Sequence, residues 1–332
     1  MFLAGDVGGT KIRLALFEQS GFKLKRLVTE KFESRSTSSL GELLFDFLQR
    51  NNATTVSAAC VAVAGPVLGG KVKMPNLGWE LSEQALSEQA RVPRLRLAND
   101  VAATAAAIPH LEDSDLVALH PGEPPRRPSP RDDVVRGVVA PGTGLGEAYL
   151  ITNGGRNFPF ATEGGHTDFA PSNEVEDGLL RYLRKKLGHV SVERVISGQG
   201  IVNIYEYLRD EHLYSESPEL CAEMAASKDR ASLIAQRAES NASPICVKAL
   251  DVFVELLGAE CGNFMLKLMA LGGIYLGGGI PPKILKKLQD GSIIHSYTSK
   301  GRFEGVVRAI PLYVIKDDHA ALLGAAHIAS SI

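Results

Sequence analysis

Apolar positions along this chain switch between strict alternation and helical spacing, and the switches mark its elements. Arg13-Leu14-Ala15-Leu16-Phe17 follows a glycine-rich turn as an alternating, strand-like run, so strand, hairpin and strand open the chain. Leu40, Leu43, Leu44, Phe47 and Leu48 fall on one helical face, with Ser38 or Ser39 placed to cap it. Val56 to Ala64 is nearly all small and apolar and stops at Gly65-Pro66, which predicts a central strand covered on both faces. Leu81 to Arg91 reads as a helix. Leu95-Arg96-Leu97-Ala98 is a short strand that delivers Asn99 and Asp100 to its C-terminal end, and Val101 to Ala107 is a helix with a thin side-chain layer ending at Pro109.

The second part repeats the scheme. Val134 to Ala140 is a strand leading into a glycine hairpin, Gly142-Thr143-Gly144-Leu145-Gly146, and Glu147 to Ile151 leaves it as a strand. Asn173-x-x-Glu176 has the pattern of a capping box. It opens a helix through Leu179, Leu180, Leu183 and Leu187 that stops at Gly188. Ser191 is placed to cap a short helix carrying Glu193. A long helix runs from about Pro244 to Leu271. Ile274-Tyr275-Leu276 is a strand ending in Gly277-Gly278-Gly279, Leu312 to Ile315 is the last strand, and the final helix starts near Ala320. Strand–hairpin–strand with helices thus occurs twice, which predicts an α/β protein of two halves facing each other across a cleft. Five prolines between Pro121 and Pro130, with Arg126, Arg127 and Arg131 nearby, predict a long exposed loop.

Composition narrows the class. The 332 residues are 45% hydrophobic and 22% charged, ordinary for a globular protein with an adequate core. A formal net charge of -2 gives no general drive toward nucleic acid or acidic membranes. No apolar run reaches a membrane span, and the N-terminus has no basic segment followed by a long apolar core, so a cytoplasmic location is expected. Cys60, Cys221, Cys246 and Cys261 form no C-x-x-C pair, and reduced, mostly buried thiols are expected. The single tryptophan, Trp79, is a natural fluorescence reporter of domain motion.

Candidate chemistry clusters at the turns. Gly5-Asp6-Val7-Gly8-Gly9-Thr10-Lys11 puts a carboxylate, two glycines and a hydroxyl at a hairpin tip. Glycines let backbone N–H groups approach phosphate oxygens, and Asp6 suits Mg²⁺, directly or through water. The competing reading is an ordinary tight hairpin with glycines at positive φ. The segment is neither a Walker A loop nor a dinucleotide fingerprint. Asn99-Asp100 offers donors and acceptors to vicinal hydroxyls, and Asp100 suits proton abstraction; the same pair also suits plain helix capping. Glu163-Gly164-Gly165-His166-x-Asp168 brings a carboxylate and an imidazole onto one tight turn. That set is sparse for zinc, with no cysteine near it, and suits a polyhydroxyl ligand better. Glu193 is a capping partner, a solvated charge or a ligand, and composition does not choose.

Taken together, these motifs resemble the bacterial-type glucokinases of the hexokinase–actin–Hsp70 ATPase superfamily. The residues responsible, in family order, are Gly5 to Thr10, Asn99-Asp100, Gly142 to Gly146, Glu163 to Pro171, Gly188-His189-Val190-Ser191-Val192-Glu193-Arg194-Val195 and Lys300-Gly301-Arg302-Phe303. The cysteine cluster of the related zinc-binding ROK sugar kinases is missing, which points to the zinc-free branch. Lys11 departs toward the ROK pattern, where close glucokinases often carry Asn. Pro141 stands before Gly142 where a small residue is common, and its ring stiffens the loop.

The resemblance implies a two-lobed actin-like ATPase (ribonuclease H-like) fold with a mixed sheet in each lobe, 1–110 plus 317–332 forming the small lobe and 111–316 the large one. It implies ATP-dependent phosphorylation of glucose to glucose 6-phosphate, the first step of glycolysis. Asp100 would be the base facing the 6-hydroxyl, and Asn99, Glu163, His166 and Glu193 would bind the remaining hydroxyls. Asp6 would help position Mg²⁺. Gly8, Gly9 and Thr10 would face the ATP phosphates from one lobe, Gly142, Thr143 and Gly144 from the other, and Gly277, Gly278 and Gly279 would lie near adenosine. A homodimer is expected on the same ground. The competing functions are a kinase for mannose, fructose or an N-acetylhexosamine, a sugar-responsive regulator, and a filament or chaperone ATPase. No helix-turn-helix pattern stands before Gly5, which argues against the regulator.

Overall fold

The alternating run after the first glycine turn pairs back on the segment before it. In the computed structural model, which describes residues 1–21, 23–53, 55–124, 129 and 132–332, β1 (Phe2–Val7) and β2 (Lys11–Ser20) form an antiparallel hairpin. β3 (Lys23–Glu33) continues it as a largely exposed, charge-rich edge with no apolar period to announce it. α1 (Leu40–Arg50) buries Leu40, Leu44, Phe47 and Leu48, and Ser39, not Ser38, caps it by accepting the Glu42 N–H. Every residue of β4 (Ala58–Val63) is buried. Leu81 does not start a helix. β5 (Lys71–Met74) pairs with β6 (Trp79–Ser82), and α2 (Glu83–Ala90) begins after Ser82, its cap. β7 (Leu95–Asn99) runs directly into α3 (Asp100–Ala107).

The second half starts with β8 (Leu116–His120), then β9 (Val135–Pro141), β10 (Leu145–Asn153) and β11 (Arg156–Thr162) as a meander. Its helices are α4 (Glu174–Leu187), α5 (Gly198–Asp210), α6 (Pro218–Ala226), α7 (Arg230–Glu239) and α8 (Pro244–Leu268). α8 stops three residues short of Leu271 because Met269 turns left-handed, φ 48°. β12 (Ile274–Leu276), α9 (Leu285–Leu288), α10 (Ser292–Thr298), α11 (Glu304–Arg308), β13 (Leu312–Ile315) and α12 (Ala320–Ser330) complete the chain. Pro125, Arg126, Arg127, Pro128, Pro130 and Arg131 of the expected proline-rich loop lie outside the described residues.

The two sheets share one strand plan. The first runs β3-β2-β1-β4-β7 and the second β11-β10-β9-β12-β13-β8. In each, a three-stranded antiparallel meander leads, through its first strand, into two parallel strands. The repeat read from the sequence is therefore a duplicated α/β unit with one extra antiparallel strand, β8.

Two thin helices join the halves. α12 packs Leu322, Ala325, Ala326 and Ala329 against Ala4, Ala15, Cys60 and Ala62 of the first sheet. α3 packs Ala102 and Ala105 against Val138, Ala148 and Tyr275 of the second. Between them, a Cβ on Gly324 would lie 1.7 Å from the Ala103 carbonyl oxygen, so only glycine permits this approach. The alanine run of α3 thus lets two sheets share one helix layer. Cys60, Cys246 and Cys261 are buried, Cys221 is exposed, and all four are free thiols. Among the described residues, no helix is long and apolar enough to cross a membrane.

Candidate active site

The β1–β2 turn is pinned from outside the hairpin. Gly8 N–H donates to Lys11 O at 2.9 Å, while buried Ser34 donates its hydroxyl to Gly8 O at 2.8 Å and its N–H to Thr10 O at 3.0 Å. Ser34 carried no signal in the sequence. Neither Gly8 nor Gly9 has positive φ, so the ordinary-hairpin reading does not explain them. A Cβ at Gly9 would meet nothing within 4 Å. Protein packing does not demand glycine there; the missing side chain leaves the turn's backbone open to close approach.

Asp6, at the end of β1, faces Arg13 of β2 at 3.5 Å. Burial pushes its carboxyl up, and the Arg13 charge opposes this. Arg13 also donates to the Asp318 carbonyl and carboxylate, both at 2.7 Å. Asp318 lies 2.6 Å from His319 Nδ1, and Asp317, Asp318 and His319 stand one residue beyond β13. This neighbourhood escaped sequence reading, because residues 6 and 318 meet only in the fold. A partly buried carboxylate with the Asp318 charge nearby fits a hard cation such as Mg²⁺ through its oxygens, with the Arg13 guanidinium as the competing partner.

Asn99 and Asp100 stand where β7 becomes α3. The capping reading is realised: Asn99 Oδ1 accepts from Val101 N–H at 2.9 Å and Ala102 N–H at 3.0 Å, and Nδ2 donates to Gly65 O. Only an amide N–H remains for a ligand. Asp100 Oδ1 shares the Val101 N–H. Burial, then the Asp6 charge and the Glu163 charge, push the Asp100 carboxyl up to about 6, against its backbone hydrogen bonds. Asp100 therefore feels carboxylates from β1 and from the residue after β11, and a group near neutrality suits proton transfer. Val101 seats on Gly146, where a Cβ would lie 2.4 Å from Val101 Cγ2, so the start of α3 rests on the second glycine hairpin.

Glu163 precedes and His166 ends a 3-10 turn, Gly164–His166, with His166 Nε2 3.8 Å from Glu163 and both side chains exposed. The two glycines are required by contact with β10: a Cβ at Gly164 would lie 1.9 Å from Glu147 Oε2, and one at Gly165 would lie 2.3 Å from Leu145 O. Val192 N–H donates to Thr167 O at 2.9 Å and Phe169 N–H to Val190 O at 3.0 Å, stapling this turn to the one bearing Glu193. Asp168 pairs with His189 at 2.8 Å. Ser191 holds the N-cap position of the 3-10 turn Val192–Arg194 but makes no side-chain cap. In α4, Asn173 caps through Glu176 N–H, yet Glu176 reaches back to Ser172, so the box is completed one residue early.

Glu193 turns toward the second hairpin. Its Oε2 accepts from Leu145 N–H at 2.9 Å, and it lies against Gly144. Gly142 O accepts from Gly198 N–H at 2.8 Å, at the start of α5. Gly278, φ 78°, lies against Pro141 O, and Ile280 N–H donates to that oxygen at 3.3 Å. Gly277 to Gly279 thus adjoin the hairpin Gly142 to Gly144, and a Cβ at Gly142 or Gly279 would meet nothing within 4 Å. The arrangement offers open glycine backbone beside clustered carboxylates, which suits transfer of a phosphoryl group to a polyhydroxyl acceptor.

A family model described as Glucokinase matches residues 3–332. The glucokinase of Nostoc punctiforme is 37% identical over 345 residues, covering 100% of this chain and 99% of its own length. Among solved structures, a glucokinase from an Antarctic psychrotroph superposes with a TM-score of 0.87 at 28% identity, covering 100% of this chain and 99% of the other. A ROK family glucokinase from Streptomyces griseus, solved with glucose and AMPPNP, superposes at 0.66 with 18% identity, covering 100% and 99%, a likeness of fold. The duplicated sheets are those of the actin-like ATPase fold, and the chain belongs to the glucokinase family, whose members phosphorylate glucose with ATP.

Proposed function

We propose that glucose phosphorylation by ATP runs in this chain with Asp100 as the general base. Asp100 takes the proton of the 6-hydroxyl as that oxygen forms a bond to the γ-phosphorus, and the bond to the β–γ bridging oxygen breaks to release ADP. The observation that carries this reading is the Asp100 carboxyl at the start of α3, raised to about 6 by burial and by the charges of Asp6 and Glu163. Asn99, limited to its remaining amide N–H, donates to a ring hydroxyl. Glu163, His166 and the free oxygen of Glu193 bind the others, so an analogue lacking a hydroxyl leaves a polar group unpaired.

Gly8, Gly9 and Thr10 face the phosphates from one side and Gly142, Thr143 and Gly144 from the other, with Gly277, Gly278 and Gly279 beside adenosine. The open space at Gly9, Gly142 and Gly279 supports this. Mg²⁺, held at Asp6 through water, would neutralise charge on the phosphates. We assign 1–110 plus 317–332 to the small lobe and 111–316 to the large, and expect a cytoplasmic homodimer. A sugar panel in a coupled ADP assay with ATP and Mg²⁺ tests the reading: glucose should give the highest kcat/KM. Turnover confined to mannose, fructose or an N-acetylhexosamine overturns it.

A further inference from the structure

Behind the Glu163–His166 turn lies a carboxyl that the reaction does not use. Glu147 sits on β10 with 2% of its surface exposed, opposite Thr162 of β11. Its Oε1 is buried without a hydrogen-bond partner. Its Oε2 presses on Gly164, the first residue of the turn. Thr162 completes the contact, accepting Gly164 N–H at 3.1 Å and donating to the Glu147 carbonyl at 3.2 Å.

Below Glu147 is α8. Glu260, 5% exposed, accepts from Asn263 at 3.1 Å and from Lys267 at 3.4 Å. Lys300, first residue of the Lys-Gly-Arg-Phe motif, donates to Asn263 at 2.9 Å. That motif therefore braces the floor of this cluster.

We propose that Glu147 is a positioning residue for the reaction: buried against Gly164 beside Thr162, it sets the seat of the turn that carries Glu163 and His166, and with it the affinity for sugar. This deepens the function proposed above and rests on it.

The protonation state of Glu147 follows from its surroundings. Burial, then the Glu260 charge, raise the Glu147 carboxyl to about 8, and Lys267 opposes. Cys261 of α8 also couples to it, and β9 presents only Val139. At neutral pH Glu147 is an uncharged acid, which costs far less to bury than a carboxylate. Above pH 8 it ionises against Gly164 with Oε1 unpaired, and the turn must shift to let water in.

The test is glucose affinity by calorimetry, with kcat and both KM values, from pH 7 to 9.5. The wild type should lose glucose affinity about tenfold per pH unit above the transition, with the ATP KM flat. Glu147→Gln, uncharged and of equal length, should keep glucose affinity within about twofold at pH 7 and abolish the alkaline loss. Glu147→Ala should weaken glucose binding at pH 7 while its melt still reports a folded protein. An alkaline loss that persists in Glu147→Gln, or is absent from the wild type, overturns the proposal, and Gln alone decides it if the Ala variant fails to fold. Failure of the wild type to bind glucose at any pH would instead strike the function proposed above.

Discussion

Glu193 accepts a hydrogen bond from the backbone N–H of Leu145, 2.9 Å away, and so ties a residue expected at the sugar to the hairpin expected at the phosphates. One carboxylate oxygen is spent on the hairpin, leaving the other for a ligand. Glu193→Ala should therefore raise the KM for ATP as well as for glucose, by about tenfold each, because a charge-assisted bond is lost on both sides. Glu193→Gln retains an oxygen for Leu145 and should spare ATP. Steady-state kinetics with each substrate varied in turn would separate the two. An unchanged ATP KM in the Ala variant would show that the hairpin holds its shape without this tie.

Removing the proposed base should leave a different signature. Asp100→Asn keeps an oxygen for the Val101 N–H and the length of the side chain, so the cap survives. We expect kcat to fall by about 10²–10⁴-fold with glucose affinity nearly unchanged. Calorimetry on the variant, set beside its turnover, measures both.

Acid should silence the enzyme through the same group. The Asp100 carboxyl is raised from its ordinary value to about 6, so below that pH it carries a proton and cannot accept another. The acid limb of log kcat/KM should bend near pH 6 and fall about tenfold per unit below it. A limb near pH 4 would mean that neither burial nor the charges of Asp6 and Glu163 shift Asp100.

Stability has its own acid window. His110 and His327 stack with ring centroids 3.3 Å apart, and burial lowers them to about 4 and about 3, His110 adding to the shift of His327. Both stay neutral in the folded chain while the unfolded chain binds protons in the ordinary histidine range. Their contribution is thus full above about pH 6.5 and is lost as pH falls through about 4. Thermal melts from pH 7 to 4 should show the decline, and His327→Leu should flatten it.

The glycine between the central helices admits no side chain. In Gly324→Ala the new methyl would meet the Ala103 carbonyl, which is backbone and cannot step aside. We expect a loss of about 1–3 kcal/mol in stability, read by denaturant melts, and a lower kcat because α3 carries Asp100.

Legibility in the sequence followed burial. β4 and β12 are apolar throughout and β9 is apolar but for the buried Arg136, and their neighbours cover both faces, so composition alone marks them. β3 and β11 are sheet edges; Phe158 and Phe160 of β11 stay exposed, and the charges of β3 hide its period. β6 runs into the helix signal that starts at Leu81, and β5 left none of its own, since four residues are too few to show alternation. At the site, Asn99, Asp100, Glu163, His166 and Glu193 stood in short motifs. Ser34, Glu147 and Asp318 did not, because each acts on a distant segment and leaves no local pattern.

The sharing of one helix layer by two sheets also bears on movement. α12 is bedded in the first sheet and α3 in the second, and they meet at Gly324 and Ala103. The contact between them is made by bare backbone and short side chains, which offer little to interlock. Asp100, the proposed proton acceptor, lies one turn of α3 from that contact, so a swing of the halves about it would displace Asp100 less than the outlying turns.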